Sequence, residues 1–291
     1  MLRATEIATL RSGTIEYRYE RRGAQTVLIC HGGHLRAAIP LGESAYEQQG
    51  WSVLTPSRPG YGRTPLTGDS SPETVAALVR DLCSHLGIRS VAAVIGVSAG
   101  APLAVALAAR YPSLVRSLVL QSARSSLPWP DLVTRVSGSV AFHPWLQAFT
   151  WAGMQASMAL APGIGLRTTM GSMSTLPAQT VLDDLTAEER VAVQRLFRSM
   201  SSGQGFQADL DTRPDPVLET QVRLPTLVVA SPTDGAVPFK HSQHLARSIP
   251  NAELFASPSL SHMIWYGTGA KETCRRTVDF VAGTSGDTDG V

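Results

Sequence analysis

Short apolar runs and helical stripes alternate along two stretches of this chain and give way, between them, to a long segment of a different kind. Residues 14–20 alternate apolar and polar positions, and residues 26–30, 51–55, 91–95 and 115–121 are short β-prone runs, so each reads as a strand. Helical spacing fills the intervals. It covers residues 41–49, then residues 72–86, where Val75, Leu78, Val79, Leu82 and Leu86 fall on one stripe, then residues 103–110. The rhythm resumes at Pro225 with a strand over 226–230, a helix over 240–248, a last strand over 253–256 and a closing helix over 271–281. Strands alternating with helices predict an α/β fold whose mostly parallel sheet has right-handed crossovers and helices on both faces.

The intervening segment, residues 125–220, breaks this pattern. Between Arg135 and Asp183 the only charged residue is Arg167, and Phe142, Trp145, Phe149, Trp151, Met154 and Met158 crowd the same stretch. Such a segment is too apolar for a solvated loop. Phe142, Trp145, Leu146 and Phe149 share a helical face, more often a packing stripe than a ligand surface. An inserted helical cap over the mouth of the sheet serves both readings, which makes Phe142, Trp145, Phe149 and Met154 candidate pocket residues. The expected division is a core of residues 1–124 and 221–282, a cap over 125–220, and a polar, glycine-rich tail over 283–291. A lipid-touching lid would call for a basic face that this segment lacks.

Residues 91–109 carry no charge, which meets the length criterion for a membrane-spanning helix. Gly96, Gly100 and Pro102 punctuate the run, however, so strand, sharp turn and buried helix is the better parse. A Ser on such a turn needs neighbours without side chains, because a strained backbone and a close helix leave no room for Cβ atoms. Ser98, in Gly96-Val97-Ser98-Ala99-Gly100, is therefore a candidate nucleophile, against the plainer reading of a glycine-rich turn with an incidental Ser. Asp234 follows the strand over 226–230, at the strand ends where open α/β sheets place ligands, and His262 lies in the loop beyond the last strand.

Composition narrows the function. With 291 residues, 43% hydrophobic and only 16% charged, the chain has room for two small domains or one large domain with an insertion, and needs no metal or disulfide to build a core. A formal charge of +2, from 25 basic and 23 acidic residues, gives no general attraction for nucleic acid or anionic lipid, so neither is expected as a partner. Cys30, Cys83 and Cys274 lie far apart and read as free thiols. His241 and His244 have a metal-ligand spacing but no carboxylate to match, and no metal or other cofactor is expected. His85, His241 and His244 read as surface or partly buried polar residues. The first residues lack an apolar signal core, so the expected location is cytoplasmic.

Four signals in order, His31-Gly32-Gly33, Gly96-x-Ser98-x-Gly100, Asp234-x-x-Val237-Pro238 and His262, resemble the cap-bearing branch of the α/β-hydrolase superfamily over residues 5–282. The resemblance implies an eight-stranded, mostly parallel sheet with an inserted cap. It also implies a catalytic triad of Ser98, Asp234 and His262 with an oxyanion hole from the Gly33 and Ala99 N–H groups. His34, beside those donors, joins the pocket candidates. The implied chemistry is acyl-enzyme formation on an ester or lactone, with a moderately large hydrophobic carbonyl compound as substrate. The Ser at the elbow argues against dehalogenases and epoxide hydrolases of this fold, which use an Asp there. A C–C bond hydrolase of an activated ketone, a lyase or cyclase, and a small-molecule receptor on the same fold are the alternatives. Ser57, Ser231 and Ser261 depart from the residues common in the family. Oligomeric state is open, with a homodimer among the options.

Overall fold

A computed structural model describes residues 2–130, 143 and 145–285. Eight strands form one sheet: β1 (Glu6–Leu10), β2 (Gly13–Glu20), β3 (Thr26–Cys30), β4 (Ser52–Pro56), β5 (Ala93–Val97), β6 (Leu118–Gln121), β7 (Thr226–Ala230) and β8 (Ala252–Ala256). Their spatial order is β1-β2-β4-β3-β5-β6-β7-β8. The β1–β2 and β2–β4 pairs are antiparallel and the remaining pairs parallel. The central strands are buried along their whole length, which is why they read as unbroken apolar runs.

Alternate side chains of these strands enter different layers. Leu28, Cys30, Leu54, Val94, Leu118, Leu120 and Val228 pack under α2 (Pro72–His85) and α3 (Ala101–Arg110). Val27, Ile29, Val53, Ile95, Val119, Leu227 and Val229 face Tyr46 of α1 (Ser44–Gln48) and Val281 of the C-terminal helix (Ala270–Ser285). That helix runs into the expected tail, whose last six residues lie outside the described residues. Residues 91–109 are a strand, a turn and a buried helix, with β5 (Ala93–Val97) two residues later than expected. Gly96 does not end the strand, because it pairs with Cys30 and Leu120 on its two sides. Among the described residues no helix is long and apolar enough to cross a membrane.

Between β6 and β7 come α4 (Gln147–Leu160), α5 (Pro162–Ser172), α6 (Ala178–Asp183), α7 (Ala187–Ser199), α8 (Gly205–Asp211) and α9 (Pro216–Gln221). Trp151, Met158, Leu166, Met170, Leu182, Val193 and Phe197 form a separate core that also takes in Leu35, Ile39 and Met263 from the sheet's loops. The insertion's own core is narrower than residues 125–220. Leu218 of α9 packs in the layer of α2 and α3, because α9 returns to the sheet before β7 begins. Ser125 and Ser126 are likewise bound to the core helix α10 (Lys240–Ser248) and to Glu219, through His241 Nδ1 at 2.9 Å and Glu219 Oε1 at 2.6 Å. His241 is thus fully buried and not a surface residue.

Candidate active site

The loops that follow β3, β5, β7 and β8 meet at the carboxyl end of the sheet, where an open α/β sheet offers a crevice. β5 runs directly into Ser98, whose φ of 50° holds a non-glycine residue in the left-handed region at a cost of about 1–3 kcal/mol. Close packing enforces that geometry. A Cβ on Gly100 would stand 2.2 Å from the Cys30 carbonyl oxygen and 2.4 Å from that of His31, so the turn can press on the end of β3 only with glycine there. The Ser98 carbonyl accepts the Arg124 N–H at 3.2 Å.

Asp234 and His262 form a defined pair. Asp234 is 1% exposed; its Oδ1 accepts the Ala236 and Val237 N–H groups, each at 2.8 Å, and its Oδ2 lies 2.7 Å from His262 Nδ1. The carboxylate is an acceptor, so Nδ1 carries the proton and Nε2 is left to act as a base. The main chain of His262 is fixed too, donating to the Met173 carbonyl at 2.8 Å and accepting from Ser122 Oγ at 2.9 Å. Among the described residues Ser98 Oγ makes no side-chain hydrogen bond. Nucleophile–base contacts are often long without substrate and close in the Michaelis complex.

On the other side of Ser98 lies the loop His31–His34. Within it the Gly33 N–H makes no hydrogen bond among the described residues. His31 Nδ1 faces the Gly32 carbonyl at 2.8 Å and its Nε2 accepts the Arg58 N–H at 3.0 Å, the pattern of a neutral ring. Burial, and secondarily the Arg58 charge, push its pKa down to about 3. His34 has a φ of 63° and is wedged between Trp151 and Phe206, at ring-centroid distances of 5.2 and 4.0 Å. Its Nδ1 lies 2.7 Å from Ser202 Oγ, which also accepts the Trp151 indole N–H at 3.1 Å, and burial lowers its pKa to about 4. Phe206 covers Gly33 closely, with a ring carbon 3.2 Å from where a Cβ would stand.

The other sequence candidates separate. Ala99 is buried directly after Ser98, and Met154 packs at the edge of the insertion's core. Trp145 and Phe149 are 83% and 76% exposed, because α4 turns its Trp151–Met158 face inward and leaves that of Phe149 outward. Phe142 lies outside the described residues. Burial raises the thiol pKa of all three cysteines, and no cluster of three potential metal ligands occurs among the described residues.

Residues without a local sequence signal complete the surroundings. Asp209 of α8 is paired with both terminal nitrogens of Arg58, Nη2 at 2.8 Å, and accepts the Tyr61 hydroxyl at 2.5 Å. Met173 and Ser174, after α5, bind the loops that carry Asp234 and His262. Arg58 and Tyr61 lie in a glycine-punctuated stretch that marks a structured loop, but nothing near residue 209 announces their partner.

The sheet, the elbow and the order of Ser98, Asp234 and His262 define a class, and sequence comparison agrees with it. A model of the alpha/beta hydrolase fold matches residues 25–266, and the chain belongs to that family. An uncharacterized hydrolase, YcgS, from Bacillus subtilis is 33% identical over 277 residues, which cover 94% of this chain and 96% of the relative. A pimeloyl-(acyl-carrier protein) methyl ester esterase from Aromatoleum aromaticum is 29% identical over 81% of this chain and 92% of its own. Among solved structures, an alpha/beta hydrolase fold protein from Nakamurella multipartita superposes with a TM-score of 0.81 at 23% identity, covering 96% of this chain and all of that one.

Proposed function

We propose that this α/β-fold hydrolase cleaves an ester or lactone of a moderately large hydrophobic substrate by acyl transfer through Ser98. The observation that carries the reading is the buried Asp234–His262 pair, oriented by 2.7 and 2.8 Å hydrogen bonds, at the same end of the sheet as a serine held in a left-handed turn. In the first step Ser98 Oγ bonds to the carbonyl carbon while its proton passes to His262 Nε2. The carbonyl oxygen takes up the negative charge against the Gly33 and Ala99 N–H groups. The C–O bond to the alcohol then breaks, and the alcohol leaves with the proton from His262. In the second step water donates a proton to His262 and attacks the acyl carbon, and Ser98 recovers its proton as the acid departs. Asp234 keeps the imidazole in the required tautomer and stabilises its cation.

Phe206 over Gly33 and Trp151 beside His34 put apolar side chains next to the proposed oxyanion loop, which supports a hydrocarbon acyl chain over a charged one. The relative from Aromatoleum aromaticum, a methyl ester esterase, supports an ester bond as the target. The test is a series of p-nitrophenyl esters from acetate to octanoate, with γ- and δ-lactones, assayed with wild type and Ser98→Ala. Hydrolysis dependent on Ser98 and faster on butyrate than on acetate is expected. Hydrolysis that survives Ser98→Ala would refute the mechanism, and best turnover on acetate would refute the apolar acyl site.

A further inference from the structure

One buried carboxylate on the insertion is connected, through two side chains, to the loop that carries Gly33. Asp209 of α8 holds the Arg58 guanidinium and the Tyr61 hydroxyl at the same time. Arg58 in turn grips His31, donating its Nε–H to the His31 carbonyl at 3.0 Å and its main-chain N–H to His31 Nε2 at 3.0 Å. Tyr61 reaches the loop itself, its hydroxyl oxygen standing 3.9 Å from where a Cβ on Gly33 would be. The His34 carbonyl is held as well, accepting the Ser201 N–H from the insertion at 3.1 Å. Gly33 is therefore clamped on both sides.

The contact between loop and helix leaves little slack. The Gly60 carbonyl accepts the Gln204 and Gly205 N–H groups, each at 3.1 Å, at the start of α8. Gly205 lies flat on Tyr61, with two ring carbons 2.2 Å from where a Cβ would be, so any other residue would drive the ring away. The Arg58 guanidinium stacks over the same ring, 4.8 Å from its centroid, and His31 meets it edge-on at 5.1 Å. Arg124 adds a second hold on the helix, donating to the main-chain carbonyls of Asp209 and Thr212. A group so placed does more than join two layers: any shift of α8 moves Arg58 and Tyr61 together, and with them the peptide plane of Gly33.

We infer that Asp209 is a positioning residue for the reaction, aiming the Gly33 N–H at the developing oxyanion through Arg58 at His31 and Tyr61 beside Gly33. The inference rests on the acyl-transfer reading of Ser98 and assigns the insertion a part in transition-state stabilisation beyond enclosing substrate. Oxyanion donors act through direction and distance, and loss of one whole donor costs about 10²- to 10³-fold in kcat. A donor that remains but is mis-aimed should cost part of that, about tenfold.

The test compares wild type with Tyr61→Phe and Asp209→Asn on p-nitrophenyl butyrate and on an aryl trifluoromethyl ketone. Ser98 Oγ adds to this ketone's carbonyl carbon, its proton passes to His262, and the oxyanion stays in the hole. For Tyr61→Phe we expect kcat about tenfold lower, KM within twofold, the pH midpoint of kcat/KM unchanged, and ketone affinity weakened by the same factor as kcat/KM. Asp209→Asn should do the same to a greater degree; if it does not fold, Tyr61→Phe decides alone. Variants with kcat and ketone affinity within twofold of wild type, or with only KM raised, would overturn the inference while leaving acyl transfer intact. Wild type that neither hydrolyses the ester nor binds the ketone would overturn both.

Discussion

The two sides of the proposed site, the Asp234–His262 side to which we assign acid–base work and the Gly33 side to which we assign the oxyanion, are both fastened to the insertion, but by different chemistry. On the acid–base side the ties are neutral and mostly main-chain. His262 and Gly235 donate to the Met173 carbonyl at 2.8 and 3.2 Å, Thr175 donates to the Thr233 carbonyl at 2.9 Å, and Ser174 Oγ donates to the Leu260 carbonyl at 2.6 Å. On the oxyanion side neutral bonds such as Ser201 N–H to the His34 carbonyl are joined by a buried ion pair, Arg58 with Asp209, and by the Tyr61 hydroxyl that shares the carboxylate. Neutral hydrogen bonds each contribute about 0.5–1.5 kcal/mol net, so one of several can be lost with modest effect. Removing one partner of a buried ion pair strands the other charge and costs about 3–5 kcal/mol. The acid–base side should therefore be structurally tolerant and chemically unforgiving, and the oxyanion side the reverse.

The largest expected effect separates chemistry from structure on the acid–base side. Asp234→Asn should leave the fold in place and lower kcat on p-nitrophenyl butyrate by about 10⁴-fold, since the amide favours the wrong imidazole tautomer. A loss below tenfold in a folded variant would remove Asp234 from the mechanism. On the oxyanion side, Asp209→Asn should lower unfolding free energy in urea by about 3–5 kcal/mol, with Arg58→Met in the same chain recovering part of it. Equal stability of wild type and Asp209→Asn would erase the contrast between the two sides.

Acid should act first on the oxyanion side. Burial lowers the pKa of His31 to about 3 and of His34 to about 4, against about 6.5 in an unfolded chain. These rings are neutral in the fold, so between those values the unfolded chain binds protons that the native state refuses. Their contribution to stability is complete above about pH 6.5 and falls as pH drops towards 4, by about 1.4 kcal/mol per pH unit for each ring. His241, buried against Ser125 and also lowered to about 4, adds a third proton away from the site. Urea titrations between pH 7 and 5 should show this slope. His34→Asn, a residue that tolerates a positive φ, should reduce it by about one proton; an unchanged slope would contradict a neutral, buried His34. The smallest effect is expected from Ser174→Ala, which loses its bond to the Leu260 carbonyl: about 1 kcal/mol of stability and less than fivefold in kcat.

The same division explains what could be read from sequence. β3 and β7 coincide with their apolar runs because burial on both faces writes an unbroken hydrophobic word. β1 was invisible: it pairs only at the sheet edge and buries Ala8 alone, so no alternation marks it. The insertion announced its burial but not its orientation. A helix apolar nearly all round does not disclose its inner face, and Trp145 and Phe149 were favoured where Trp151 and Met158 are the residues buried. Ser98, Asp234 and His262 carry local signals because each sits in a turn at a strand end. Asp209, Met173 and Ser174 act on loops far away in the chain, Asp209 on an arginine 151 positions before it, and short-range pattern holds no trace of that.

The most direct measurement of the central claim is covalent capture of the nucleophile. A fluorophosphonate reacts when Ser98 Oγ bonds to phosphorus, fluoride leaves and His262 takes the proton, which leaves one stable phosphonyl group on the chain. Intact-mass and peptide analysis should find one adduct, on Ser98, in wild type and none in Ser98→Ala. Wild type that stays unmodified, or an adduct that persists in Ser98→Ala, would contradict the account.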